Sequence, residues 1–192
     1  MLLQSAYKVG FERELFRPYG IPMQPITLGH VQVLAELEVP FVWADNDIKK
    51  QDVAAVVMVC CFPDWQQARE ELKNDAHIES VVEAMSKGSD DDFDQVVRFL
   101  CYYIDRPKSK GISDPMETRC PWWWSYAEFL QTEMGRSEIE AWNTICADAF
   151  CYYACYATRS GSDQFMTTRE NYLDEMVKSG KTMKEMFDEG LI

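Results

Sequence analysis

The sequence predicts an all-α fold, a single compact domain of about seven to nine helices that spans residues 1–192. Apolar residues recur at spacings of three and four along most of the chain, which is the period of a helix face. Residues that favour helix termini stand at the ends of these runs. Hydrophobic residues make up 47% of the chain, of which aromatic residues contribute 13%, and this is enough to form a substantial core.

In the N-terminal third, the sequence pattern predicts two helices separated by an extended stretch. Three prolines between residues 18 and 25 disfavour a helix there. Thr27 is a suitable N-cap for a short helix over residues 28–37, and Pro40 ends that helix. The first of the two helices is predicted from one apolar stripe: Leu3, Tyr7, Phe11 and Leu15.

The run from Val53 to Cys60 is rich in β-branched residues and fits either a buried strand or a buried helix. We expect a helix, because the neighbouring segments all have helical periodicity and no partner strand can be identified.

The middle of the chain predicts three more helices. Asp64 and Gln67 have the spacing of a capping box. The apolar stripe that follows changes phase near Asn74, so a break is expected there. The three aspartates at residues 90–92 precede the most clearly amphipathic segment of the chain. They lack the alternating ligands, glycine and distal glutamate of an EF-hand, so we interpret them as the acidic first turn of a helix.

The C-terminal half begins with a long loop near residues 105–120, and Pro121 suits the start of the next helix. Ser137 and Glu140 form a second capping-box pattern, which predicts one long core helix from Ile139 to Ala157. Further helices are predicted over residues 165–177 and, as a C-terminal helix that could move relative to the core, over residues 181–192.

The formal net charge of −13 disfavours two classes of partner. Nucleic acids and anionic membranes are bound through Lys and Arg side chains, which are outnumbered here by 32 acidic residues to 19 basic residues. The first residues lack the basic and apolar regions of a secretory signal. We therefore expect a cytoplasmic protein (in the host cytoplasm if it is viral) that binds neither nucleic acid nor membrane.

The sequence contains no recognisable catalytic or metal-binding motif, so we expect no enzymatic activity and no cofactor. Only two histidines occur, and no family signature joins either of them to a cysteine. Cys151 and Cys155 share a helix face, but zinc requires two further ligands. We interpret this pair and the adjacent pair at residues 60 and 61 as core packing.

Three consecutive tryptophans are the feature that folding explains least. Successive helical residues turn by about 100°, so the three rings cover roughly 200° of the helix circumference. One interpretation is that at least one ring approaches the surface, where tryptophan is typical of binding sites. The alternative is that the helix is central and all three rings pack in the core. The candidate partner-binding residues are Trp122, Trp123, Trp124, Tyr126 and Phe129.

Residues 25–41 carry a motif of proline, an apolar residue, Thr-Leu-Gly-His, a leucine-containing helix and then Pro-Phe. This motif resembles a segment of small bacteriophage proteins that are encoded among tail genes, some of which are tail assembly chaperones. Glu38 and Val39 stand where a smaller, glycine-like turn is typical. The residues that carry the resemblance are Pro25, Thr27, Leu28, Gly29, His30, Pro40 and Phe41.

The resemblance implies a non-enzymatic factor that binds the tape-measure protein, or another tail protein, before the tail tube polymerises. Two alternatives remain open at the level of sequence. The chain could be a minor structural or adaptor protein of the virion, or an acidic protein that interacts with a host component. The oligomeric state is not predicted.

Overall fold

The computed structural model describes residues 16–43, 48–104 and 120–161. Within these ranges the chain forms eight α-helices and two 3-10 turns and contains no strand, which confirms the all-α prediction. The α-helices are α1 (Leu28–Glu36), α2 (Lys50–Cys60), α3 (Trp65–Glu71), α4 (Asp75–Ser86), α5 (Asp90–Ile104), α6 (Trp122–Thr132), α7 (Glu138–Trp142) and α8 (Cys146–Arg159). The 3-10 turns are Pro18–Gly20 and Pro40–Trp43.

Helix α1 lies at the centre of the described residues and contacts α2, α3, α6 and α7. Its N-terminus is closed by a capping box. The Thr27 hydroxyl accepts a hydrogen bond from the His30 backbone N–H, and the His30 ring accepts one from the Thr27 backbone N–H. The helix ends before Pro40, where Glu38 adopts a left-handed φ of 57°. This is the position at which the sequence motif suggested a glycine-like turn.

Helix α2 settles the ambiguity of the β-branched run in favour of a buried helix. Its buried side chains are Asp52, Val53, Val56, Val57, Val59 and Cys60. A helix satisfies its own backbone hydrogen bonds, so a segment of this kind is buried without a partner strand.

The predicted break near Asn74 is confirmed, since α3 and α4 are separate helices and the Asn74 side chain caps the second one. The acidic first turn of α5 is confirmed as well. The Asp92 carboxylate accepts hydrogen bonds from the backbone N–H groups of Ser89 and Tyr19, and these bonds lower its pKa. Asp92 thereby joins α5 to the first 3-10 turn.

The prediction of one long helix from Ile139 to Ala157 is wrong. The chain leaves the helix after Trp142 and forms an isolated antiparallel bridge between Ile145 and Thr27. Two backbone hydrogen bonds accompany the bridge: Leu28 N–H donates to the Thr144 carbonyl over 3.0 Å, and Cys146 N–H donates to the Ile26 carbonyl over 2.9 Å. Ile139 lies on the surface with 62% exposure, although its spacing had predicted a core position.

Three predictions lie outside the described residues: the N-terminal apolar stripe, the loop near 105–120 apart from Cys120, and the helices beyond residue 161. None of the described helices is both long enough and apolar enough to cross a bilayer.

Candidate partner-binding surface

Helix α6 points its three consecutive indole rings in different directions, as the helical turn requires. Trp123 faces the core and is 2% exposed, Trp122 is half-buried, and Trp124 is 48% exposed. The expectation that at least one ring approaches the surface is met by Trp124.

Trp122 is engaged inside the fold. Its indole N–H donates to the Val42 carbonyl over 3.2 Å, and its ring packs against Phe150 of α8 at a centroid distance of 5.5 Å. This side chain therefore joins α6 to the 3-10 turn at residues 40–43 and to α8.

The other two candidates on α6 form an aromatic seam with α8. Tyr126 contacts Phe150 and Tyr153 edge-on, at centroid distances of 4.9 and 5.3 Å. Phe129, which is 8% exposed, contacts Tyr153 and Tyr156, both at 5.2 Å. These rings hold two helices of the same chain together, which leaves little of their surface for a partner.

Trp124 combines exposure with a fixed orientation. Its indole N–H donates to Gln32 Oε1 over 2.8 Å, and its ring meets Trp142 edge-on at 5.2 Å. Trp142 in turn lies against Trp65 of α3 at 6.4 Å. A large aromatic ring held in this way loses little conformational entropy on binding, which is typical of an interface anchor.

The Gln32 side chain joins α1 to α6 and contacts α3 indirectly, through Glu36. Its Oε1 atom accepts hydrogen bonds from both Trp123 and Trp124, each at 2.8 Å. Its Nε2 group donates to Glu36 over 2.9 Å, and the Glu36 carboxylate pairs with Arg69 at 2.7 Å. The amide of Gln32 thus fixes the buried ring and the exposed ring at the same time.

We define the Trp124 face as Trp124, Trp142 and Ile139. Ile139 lies one turn before Trp142 on α7, so the two side chains share one side of that helix. Two residues of this face, Trp124 and Ile139, are among the exposed large hydrophobic residues of the described ranges, which are Leu37, Val82, Trp124, Met134, Ile139, Tyr152 and Tyr156.

Tyr152 and Tyr156 of α8 each contact another side chain of the same chain. The Tyr156 hydroxyl donates to Glu133 over 2.6 Å, and this carboxylate raises the pKa of the phenol. The guanidinium of Arg136 lies over the Tyr152 ring at 4.9 Å. Tyr152 and Tyr156 are 37% and 38% exposed, less than the 48% of Trp124, so we place the candidate anchor at Trp124.

The motif that carries the phage resemblance has structural roles at the start of α1. Leu28 is buried, and Gly29 lies directly beneath the Trp65 ring, where a Cβ atom would overlap with it. Pro40 begins a 3-10 turn. Pro25 is half-buried, and the side chain of Phe41 lies outside the described part of the structure.

His30 is fully buried, and its Nδ1 atom accepts from the Thr27 N–H, so the ring proton of the neutral imidazole is on Nε2. Burial lowers the pKa of His30 to about 4, although the Asp64 carboxylate acts in the opposite direction. This histidine is a neutral capping group at neutral pH.

The cysteines differ in exposure. Cys60 and Cys146 are buried, Cys61 and Cys151 are half-buried, and Cys155 is exposed. The core-packing interpretation is therefore wrong for Cys155, which lies on the outward side of α8. Burial raises the pKa of Cys61 to about 11 and that of Cys151 to about 12.

Across residues 16–43, 48–104 and 120–161, no three His, Cys, Asp or Glu side chains are grouped so that they could hold a metal ion. What the described geometry offers is a rigid, partly exposed aromatic surface.

Comparisons of the chain with protein-family models, with curated proteins and with solved structures found no match.

Proposed function

We propose that this chain is a non-enzymatic protein-binding factor that engages its partner through the Trp124 face. The observation that carries the proposal is the state of Trp124, which is 48% exposed yet oriented by Gln32 and Trp142. Surface tryptophans that are both accessible and preorganised are enriched among the residues that dominate binding energy.

In its most specific form, the proposed function is that of a phage tail assembly chaperone that binds the tape-measure protein. The motif at residues 25–41 supports this form through its resemblance to such proteins. A tape-measure protein is a long helical chain with apolar stripes, and a helical factor with an exposed aromatic anchor is suited to shield such a stripe.

Co-expression with the tape-measure protein encoded in the same gene neighbourhood tests this proposal. The tagged chain should keep the tape-measure protein soluble and be recovered in a complex with it. Trp124→Ala should abolish recovery, whereas Val82→Ala, which removes an equally exposed apolar side chain from α4, should not. If the tape-measure protein stays insoluble and no complex forms, the chaperone assignment is wrong.

Mass spectrometry of purified particles separates this role from that of a virion component. A chaperone should be absent from finished particles. Stoichiometric copies in the particle would instead identify a structural or adaptor protein.

A further inference from the structure

We infer that the segment that docks on the Trp124 face is a cationic amphipathic helix, with a bulky apolar residue flanked by Lys or Arg. The inference rests on the proposed function and specifies the chemistry of the partner. It follows from the apolar anchors, the charges around them and the secondary structure of the face.

Two of the three side chains of the face are in contact with water in the free protein. Trp124 and Ile139 are 48% and 62% exposed, and Trp142, which lies against Trp124, is 9% exposed. Removing this surface from water favours a partner that presents an apolar side chain of its own.

The charges around the face are acidic. Glu128 lies one turn after Trp124 on α6, and Glu138 lies one turn before Trp142 on α7. Both carboxylates are exposed, and neither belongs to an ion pair in the described residues.

Two arginines near these carboxylates have partners of their own. Arg69 is paired with Glu36 over 2.7 Å, and Arg136, two residues before Glu138, donates to Thr144 Oγ1 over 2.8 Å and lies over the Tyr152 ring. Two unpaired carboxylates in a chain of net charge −13 favour a partner that carries Lys or Arg beside its apolar anchor.

The secondary structure favours a helical partner. The anchors lie on the helices α6 and α7, and the described residues offer no exposed strand edge to which an extended peptide could add. The isolated bridge between Thr27 and Ile145 is interior, since Thr27 is 5% exposed. A helical partner packs apolar side chains from one of its faces against such anchors, and this is the recognition mode that we infer.

The test uses the full-length chain and three synthetic peptides of about 20 residues, a length that spans about five helical turns. The first has a leucine stripe at helical spacing on a lysine background. The second has the same stripe on a glutamate background, and the third has the composition of the first with the stripe scrambled. Affinities are measured by calorimetry at about 50 mM and about 300 mM NaCl, where screening differs strongly.

The lysine peptide should bind at least about tenfold more tightly than either of the other peptides at the lower salt concentration. Trp124→Ala should weaken its binding about tenfold or more, a loss typical of an interface anchor. Glu128→Gln with Glu138→Gln should weaken binding at low salt and flatten the salt dependence.

Val82→Ala is the matched control. Val82 is 53% exposed on α4 and lies between Glu79 and Glu83 in sequence, of which Glu83 is paired with Lys87 at 2.6 Å. Its truncation tests whether the loss of any exposed apolar side chain weakens binding. This variant should change the affinity less than about twofold, in line with an exposed residue outside an interface. Equal binding of the lysine and scrambled peptides, or equal losses in Trp124→Ala and Val82→Ala, would overturn the inference, as would tight binding of the glutamate peptide.

The same variants separate this inference from the proposed function. If the tape-measure protein is bound through Trp124 but the two glutamine substitutions change nothing, the inference is wrong and the chaperone assignment stands. If the lysine peptide binds through Trp124 while no tape-measure complex forms, the inference stands and the tail assignment fails.

Discussion

Replacing Gln32 with leucine tests whether one amide positions two tryptophans. The substitution retains the approximate size of the side chain and removes the Oε1 acceptor that Trp123 and Trp124 share at 2.8 Å each. It also removes the donor to Glu36, which is exposed and keeps its ion pair with Arg69.

The cost is expected to come mainly from Trp123. Its ring is 2% exposed, so the substitution removes one partner of a hydrogen bond made by a largely interior side chain. Removing one partner of a buried hydrogen bond costs about 1–3 kcal/mol. The Trp124 N–H belongs to a ring that is 48% exposed, and water replaces its lost acceptor at little cost. We therefore expect Gln32→Leu to lower the free energy of unfolding by about 1–3 kcal/mol.

Urea unfolding followed by far-UV circular dichroism measures this difference, with Gln131→Leu as the matched control. The Gln131 side chain donates only to the Ala127 carbonyl of its own helix, so its replacement should cost less than about 0.5 kcal/mol. Equal unfolding free energies for the two variants would refute the proposed role of Gln32. In Gln32→Leu the tryptophan emission should also shift, because the exposed ring loses its fixed orientation.

Three further predictions concern the interior. Gly29→Ala should destabilise the fold by about 1–3 kcal/mol, because the new methyl group would overlap with the Trp65 ring, and chemical unfolding measures the loss. Burial lowers the pKa of His30 from 6.5 to about 4, so below pH 6.5 the unfolded chain binds a proton that the folded chain does not. The free energy of unfolding should therefore fall by about 3 kcal/mol between pH 6.5 and pH 4 because of this residue. His30→Gln should remove this part of the pH dependence, which unfolding curves at several pH values measure. If the unfolding free energies of the wild type and the variant change in parallel with pH, the assignment is wrong. In thiol labelling followed by peptide mapping, the exposed Cys155 should react in the folded protein, whereas Cys60 should react only after unfolding because burial raises its pKa and blocks access.

Local patterns in the sequence were sufficient for most of the helices. Thr27, Asn74 and Ser137 cap helices where their spacing predicted termini, because a cap involves only residues within one turn. The run from Val53 to Cys60 was predicted as a helix from its helical surroundings, and that assignment is confirmed.

The error at residues 139–157 has a non-local cause. The apolar spacing continues through Asn143–Ile145, so the sequence pattern contains no signal for a break. The helix is interrupted because residues 26–28, more than 100 positions earlier, form backbone hydrogen bonds with residues 144–146. A bridge of this kind depends on a partner segment that is distant in the sequence, so the local pattern at residues 143–145 does not predict it.

The amino-acid sequence by itself determined the all-α class, most helix boundaries, the acidic surface and the presence of a tryptophan cluster that one helix stripe cannot bury. Only the tertiary structure decided which ring is exposed. Trp123 is buried and hydrogen-bonded to Gln32 of α1, Trp122 packs on Phe150 of α8, and Trp124 is partly exposed. Three identical side chains at consecutive positions have the same local preferences, so the helices that pack around them determine which one remains in contact with water.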